Sequence, residues 1–317
     1  MAKVIVAGGA GFIGSHLCDA LLEKEHDVLC IDNLLTGSEA NISHLKNNPH
    51  FQFISHNIIE PLGNDVSAEF IFHLASPASP NHHSKISYHQ LPMETMMANT
   101  TGTLNLLRFA YKNNARFLFT STSEVYGDPL EHPQKESYRG NVSTIGPRSV
   151  YDEAKRFAET LISYFWREKG LDARIVRIFN TYGPRMSKED MRMISIFINE
   201  ALAGKPITIF GDGKQTRSLC YVSDTVDGII KMMFQDNTKA EVVNIGSFDE
   251  HTVLEYAEIV KKLTDSKSEI VFSEQLPIDD PLRRRADITK AKELLGWAPN
   301  VPLEKGLQKM IEYSKNL

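Results

Sequence analysis

Apolar and polar positions along the chain follow two alternating spacings. Lys3–Ala7 and residues 27–31 are short, β-branched apolar runs, the pattern of parallel strands buried on both faces. Between them, residues 15–25 place apolar side chains at helical intervals. The same reading predicts strands at 51–54, 69–74, 115–120, 172–178, 207–210, 241–245 and 269–272. It predicts helices at 93–113, 151–169, 191–203, 223–234, 252–263, 288–295 and 303–315. Strand and helix alternate regularly over the first 180 residues, which calls for a parallel sheet covered by helices on both faces. Beyond that point prolines and glycines punctuate shorter elements. The expected division is a domain at 1–179, with 223–248 returning to it, and a smaller C-terminal α/β lobe over 180–317.

The first strand runs straight into Gly8-Gly9-Ala10-Gly11-Phe12-Ile13-Gly14. Glycines at 8, 11 and 14 permit a tight turn, close approach of backbone to a pyrophosphate, and close packing of helix on strand. The following helix start offers free N–H groups and a positive dipole to phosphates. The second strand ends at Asp32, where a carboxylate meets the ribose hydroxyls of a dinucleotide. This predicts a Rossmann-type doubly wound sheet that binds NAD. A 2′-phosphate would be repelled by Asp32, and no arginine follows directly, so NADP is disfavoured.

Length and charge agree with an enzyme. The 317 residues can form one large or two modest domains, and a net charge of −5 without a basic tract argues against nucleic acid. Cys18, Cys30 and Cys220 are isolated, which suggests a reducing, cytoplasmic setting without disulfides or zinc. His82, His83 and His89 lack acidic or cysteine partners at ligand spacing, so no metal is expected. The chain enters a strand at once, which implies no signal peptide, and no apolar run is long enough for a bilayer.

Two segments carry the chemistry: Ser121-Thr122-Ser123-Glu124-Val125-Tyr126-Gly127 and Tyr151-Asp152-Glu153-Ala154-Lys155. Tyr151 and Lys155, four apart, share one helix face. A lysine ammonium near a phenol favours the phenolate, so Lys155 is expected to lower the Tyr151 pKa and make it a base. The loops at 73–76, at 121–124 and at Asn180 all follow predicted strands, and ligands bind beyond strand carboxyl ends.

The chain resembles the extended short-chain dehydrogenases/reductases and, within them, the UDP-glucuronate decarboxylases. The resemblance is carried by the glycine loop, His73-Leu74-Ala75-Ser76-Pro77-Ala78-Ser79-Pro80, Asn99-Thr100-Thr101-Gly102-Thr103, residues 120–129, Gly146-Pro147-Arg148 and residues 151–156. It continues through residues 177–186, Gln215-Thr216-Arg217, Asp279-Asp280-Pro281 with the arginines at 283–285, and Leu295-Gly296-Trp297. It implies NAD-dependent oxidation of a UDP-sugar acid at carbon 4, decarboxylation of the keto sugar, and return of the hydride. By resemblance Thr122, Glu124, Tyr151, Lys155 and Arg284 are catalytic. The cofactor would meet Gly8, Gly11, Phe12, Ile13, Gly14, Asp32 and Asn33. Asn57, Leu74, Ala75, Ser76 and Asn99 would complete that site, with Tyr151 and Lys155. The nucleotide sugar would meet Ser76, Tyr88, Ser123, Glu124 and Asn180, with Arg185, Arg192 and Arg217 beside Tyr221 and Arg284. The family also implies a homodimer built on 93–113 and 151–169.

Several positions depart from the family pattern. The loop between Pro80 and Tyr88 is about five residues longer, near residues 81–85, and should approach the sugar end. Asn57 stands where an aspartate is usual, Ala154 for glycine, Leu219 for phenylalanine and Ala286 for proline. The loop leaves open a 2-acetamido sugar acid such as UDP-N-acetylglucosaminuronate. The other readings are a UDP-sugar 4-epimerase or 4,6-dehydratase, against which Ser123-Glu124 argues by resemblance, and an inactive nucleotide-sugar sensor, against which the intact Thr122, Glu124, Tyr151 and Lys155 argue. Which of Arg283, Arg284 and Arg285 acts is also open, since such runs are often solvated faces.

Overall fold

The computed structural model describes residues 1–273, 275 and 280–316. Seven parallel strands form the main sheet in the order Val242–Ile245, Ala173–Ile178, Arg116–Thr122, Phe70–His73, Lys3–Ala7, Asp27–Asp32 and Phe51–Ser55. Successive residues of the first strand feed opposite faces, as pleating requires. Val4 and Val6 pack with Leu17, Cys18 and Leu21 of helix Phe12–Glu23 and with Ile229 of helix Val222–Phe234. Ile5 and Ala7 pack with Leu106 and Ala110 of helix Thr103–Asn113 and with Ala158 and Ile162 of helix Ser149–Lys169. Two apolar layers thus cover the two faces, the doubly wound arrangement expected from the alternation.

The predicted 93–113 helix is interrupted. It comprises Pro92–Met97, a π-helical turn at Ala98–Gly102, and Thr103–Asn113. The wide turn is used at the site: Asn99 Nδ2 reaches both the Thr95 carbonyl and Ser76 Oγ, each at 2.8 Å.

The later residues build three small sheets among helices Met193–Leu202, Val253–Leu263 and Leu303–Lys315. Thr216–Ser218 is the middle strand of one, antiparallel to Glu250–Thr252 and parallel to Arg283–Arg284. Thr181–Tyr182 pairs with Cys220–Tyr221, and Ile207–Ile209 with Ile270–Phe272. Several of these strands, only two or three residues long, leave no alternation to read in the sequence.

Trp297, 1% exposed, pins the C-terminal segment to helix Val222–Phe234, which covers the main sheet. Its indole N–H donates to the Asp224 carbonyl at 3.0 Å, and the Asp224 carboxylate accepts from the Asn300 and Val301 backbone N–H groups. Trp297→Ala should cost about 3–5 kcal/mol of unfolding free energy, read by denaturant titration. A loss below about 1 kcal/mol would contradict this anchoring role.

Candidate active site

A cleft of about 830 Å³ opens at the carboxyl ends of the main-sheet strands, with a smaller cavity of about 240 Å³ beside Asp32. The glycine loop forms its floor. Gly8 has φ +83°, and a Cβ there would lie 2.6 Å from the Ala75 nitrogen; one on Gly14 would lie 2.1 Å from the Gly8 carbonyl. Only glycine therefore lets the helix start so close to the strand. Helix Phe12–Glu23 has no side-chain cap and no acid in its first turn, so its leading N–H groups are available to phosphate. Buried Asp32 accepts from Ala10 N at 3.0 Å and Leu34 N at 2.8 Å, which aims its carboxylate into the smaller cavity. Asn33, Asn57, Leu74, Ala75 and Ser76 line that cavity with it. Asn99 lies behind the wall and holds Ser76. This cradle, with an acid at the ribose position, fits a dinucleotide without a 2′-phosphate.

Thr122 closes strand Arg116–Thr122, and its Oγ1 accepts from the Glu124 backbone N–H at 3.1 Å. Tyr151 and Lys155 face the same cleft from helix Ser149–Lys169. The structure departs from the expected effect of Lys155 on Tyr151. Lys155 Nζ donates to the Thr120 carbonyl at 2.8 Å and lies 5.8 Å from the centre of the Tyr151 ring. Burial dominates both groups: it pushes Tyr151 up to about 12 against the Thr122 hydrogen bond, and it lowers Lys155 to about 7. Burial, and not Lys155, therefore sets the direction of the Tyr151 shift, and it leaves the lysine only part of its charge near neutral pH.

Glu124 is the electrostatic centre. Burial alone would raise its pKa, but Arg148 and Arg284 bind its carboxylate from two directions and hold it at about 2. Arg148 also donates to Asp280 at 3.1 Å, and Arg217 donates to the other Asp280 oxygen at 2.8 Å. The three consecutive arginines have separate fates: Arg283 is exposed, Arg284 is buried on Glu124, and Arg285 pairs with Glu250 at 3.4 Å. Arg148 and Asp280 were not among the expected site residues. The need of a buried glutamate for cations could have pointed to Arg148, and both residues lie in the stretches 146–148 and 279–281 that carry the family resemblance. Asp279 lies outside the described residues. Asp152 is a further buried acid; desolvation and the Glu124 charge push it up to about 8.

Ser123, Asn180, Arg185 and Arg192 line the cleft. Arg185 pairs with Asp19 at 2.7 Å, and Arg192 donates to the Ala78 carbonyl at 2.9 Å. The longer loop also reaches across: Ser79 Oγ, Asn81 Nδ2 and Ser84 Oγ donate to the carbonyls of Asp190, Met191 and Glu189. Asn81, His82 and Ile86 line the cleft. Two expected substrate residues lie elsewhere. Tyr88 is fully buried behind the cleft wall, stacked on Tyr151 at 4.9 Å with 9° between the ring planes. Tyr221 packs edge-on against Tyr182 at 5.5 Å, beneath the cleft lining. Phe210 and Tyr313 line the cleft without having been anticipated. Among the described residues no group of three potential ligands gathers to hold a metal, and no helix is long and apolar enough to cross a membrane.

The model of the NAD dependent epimerase/dehydratase family matches residues 4–246. UDP-glucuronic acid decarboxylase 5 of Arabidopsis thaliana is 51% identical over 311 residues, covering 98% of this chain and 88% of that protein. UDP-glucuronic acid decarboxylase 1 of Danio rerio is 48% identical over 311 residues, covering 98% and 72%. Among solved structures, UDP-glucose 4-epimerase of Thermotoga maritima with UDP-glucose has a TM-score of 0.88 at 32% identity, covering 99% of each chain. UDP-glucuronic acid 4-epimerase of Bacillus cereus, in complex with UDP-glucuronic acid and NAD, has 0.85 at 29%, again covering 99% of each.

Asp152 yields a pH prediction. Its folded pKa of about 8 lies above its ordinary value of 3.8, so the folded state binds the extra proton between those limits. Its contribution to stability is complete below the ordinary value and is lost as pH rises through the folded one. Asp152→Asn cannot ionise, so its stability relative to the parent should increase from pH 4 to pH 8 in denaturant titrations. Parallel profiles would mean that Asp152 is ionised in the folded protein.

Proposed function

Because the chain belongs to the NAD dependent epimerase/dehydratase family, we infer that it is an NAD-dependent UDP-sugar acid decarboxylase that converts UDP-glucuronate to UDP-xylose and carbon dioxide. One observation carries this reading: Glu124, gripped by Arg148 and Arg284, stands two residues beyond Thr122 in a cleft it shares with Tyr151. The chain is also about half identical to curated UDP-glucuronic acid decarboxylases. Residues 180–317, apart from 223–248, form the nucleotide-sugar lobe in this reading.

Bound on the glycine cradle, NAD supplies hydride exchange at carbon 4 of the sugar and a cationic ring that favours the Tyr151 phenolate. Tyr151 removes the proton of the 4-hydroxyl. The resulting ketone is β to the sugar carboxylate, so carbon dioxide leaves with its bonding electrons passing into the ketone as an enolate. The Thr122 and Tyr151 hydroxyls donate to that oxygen. Arg284, held by Glu124, faces the departing carboxylate, and Glu124 orients the ring. Carbon 5 then takes a proton, and Tyr151 gives its proton back to the carbon 4 oxygen as the ketone is reduced, so that the hydride lent to a bound NAD would be recovered and no net oxidation results. Lys155 holds the ribose of the cofactor, while Arg185, Arg192 and Arg217 clamp the diphosphate, a task suited to planar guanidinium groups.

The reading also places the enzyme in the cytoplasm as a homodimer. Three free, buried cysteines favour a reducing compartment, which cell fractionation tests. Tyr111, Phe157 and Tyr164 stand exposed on helices Thr103–Asn113 and Ser149–Lys169. Phe157→Glu should shift the sedimentation coefficient from dimer to monomer, and a parent protein that sediments as a monomer would refute the dimer.

Carbon dioxide release should be observed with UDP-glucuronate and be much slower with UDP-N-acetylglucosaminuronate; the reverse order would reassign the sugar. Tyr151→Phe should retain UDP-sugar binding and lose roughly 10²-fold or more in turnover. Near-normal turnover would remove Tyr151 from the chemistry.

A further inference from the structure

Five charged side chains form one continuous chain along the cleft: Arg217, Asp280, Arg148, Glu124 and Arg284. All five line it. Arg217 and Arg284 are register partners on adjacent strands, which brings the two ends of the chain onto one small sheet. Within the chain the two carboxylates are not equivalent. Glu124 is clasped by guanidiniums on both sides and its side chain is 12% exposed, whereas the Asp280 side chain is 22% exposed. Each Asp280 oxygen receives a single guanidinium N–H, at 2.8 Å from Arg217 and 3.1 Å from Arg148. Arg217 spends its other terminal nitrogen on the Thr216 carbonyl at 2.9 Å, so a single N–H ties its guanidinium to Asp280, the anion it meets among the described residues.

A guanidinium fork accepts carboxylate and phosphate in the same planar geometry. We propose that Asp280 is an internal stand-in anion, holding Arg217 and Arg148 in place until the diphosphate of a nucleotide sugar displaces it from Arg217. The proposal rests on the nucleotide-sugar reading of the site. It makes Asp280 a positioning residue with a cost: the two arginines are aligned in advance, and every nucleotide must compete with a carboxylate already bound. The formal charge of the five-residue chain is +1 with Asp280 ionised and +2 with an amide in its place.

The test measures UDP binding by calorimetry on the NAD-loaded enzyme and its variants. Asp280→Asn should bind UDP about tenfold more tightly than the parent, because the competing charge is gone. Its affinity should also fall more steeply with added salt. Asp280→Glu, which keeps the charge, should stay within a few-fold of the parent. Simple loss of a structural contact predicts the opposite, weaker binding from a disordered Arg217. Equal or weaker UDP binding by Asp280→Asn overturns the proposal, as does equal tightening by Asp280→Glu. If the asparagine variant does not fold, Asp280→Ser repeats the measurement with the same expected tightening. Failure of the parent itself to bind UDP would instead refute the nucleotide-sugar assignment.

Discussion

A carboxylate buried at the end of a central strand must bring cations to itself, and Glu124 brings two. Arg148 comes from just ahead of helix Ser149–Lys169, and Arg284 from a two-residue strand more than a hundred residues further on. Removing one partner of a buried pair typically costs about 3–5 kcal/mol, because the remaining charge stays desolvated. The pairing therefore ties the later small sheets to the main sheet and sets the electrostatics of the cleft in the same stroke. Asp280 extends it outward to Arg217, so five charged residues of the cleft lining form one hydrogen-bonded array.

Desolvation governs the other titratable groups. Tyr151 is held protonated, Lys155 loses part of its charge, and buried His73 drops to about 3 through burial and the nearby Lys155. Such a site is built to receive charge. The acids and bases that the chemistry requires come into balance only when a charged cofactor and an anionic substrate share the same low-dielectric volume.

The backbone shows where regular structure yields to the site. The π-helical turn at Ala98–Gly102 brings Asn99 to Ser76. The segment from Ser79 to Ser84 crosses to the carbonyls of residues 189–191 along the cleft lining, and the loop that follows brings Tyr88 flat against Tyr151. Tyr88 is thus a backing for the proposed base in this structure, and among the described residues its hydroxyl has no hydrogen-bond partner.

The sequence by itself determined what is local. Strand and helix periods, the Gly8–Gly14 turn, Asp32 at the end of the second strand, and Tyr151 with Lys155 on one helix face are all set by spacings of a few residues, which backbone geometry converts directly into position. The seven-stranded sheet and the cofactor cradle follow from them. Tertiary structure decided the rest. Two- and three-residue strands carry no period, so the sheet that aligns Arg217 with Arg284 was invisible. The separate fates of Arg283, Arg284 and Arg285 depend on which neighbour each meets. The roles of Arg148, Asp280 and Asp152, and the retreat of Tyr88 and Tyr221 from the cleft, arise from contacts between distant segments. So does the sign of the Tyr151 shift: four residues of helix put a lysine beside a phenol, but only the packed interior shows that burial outweighs that lysine and pushes the phenol up.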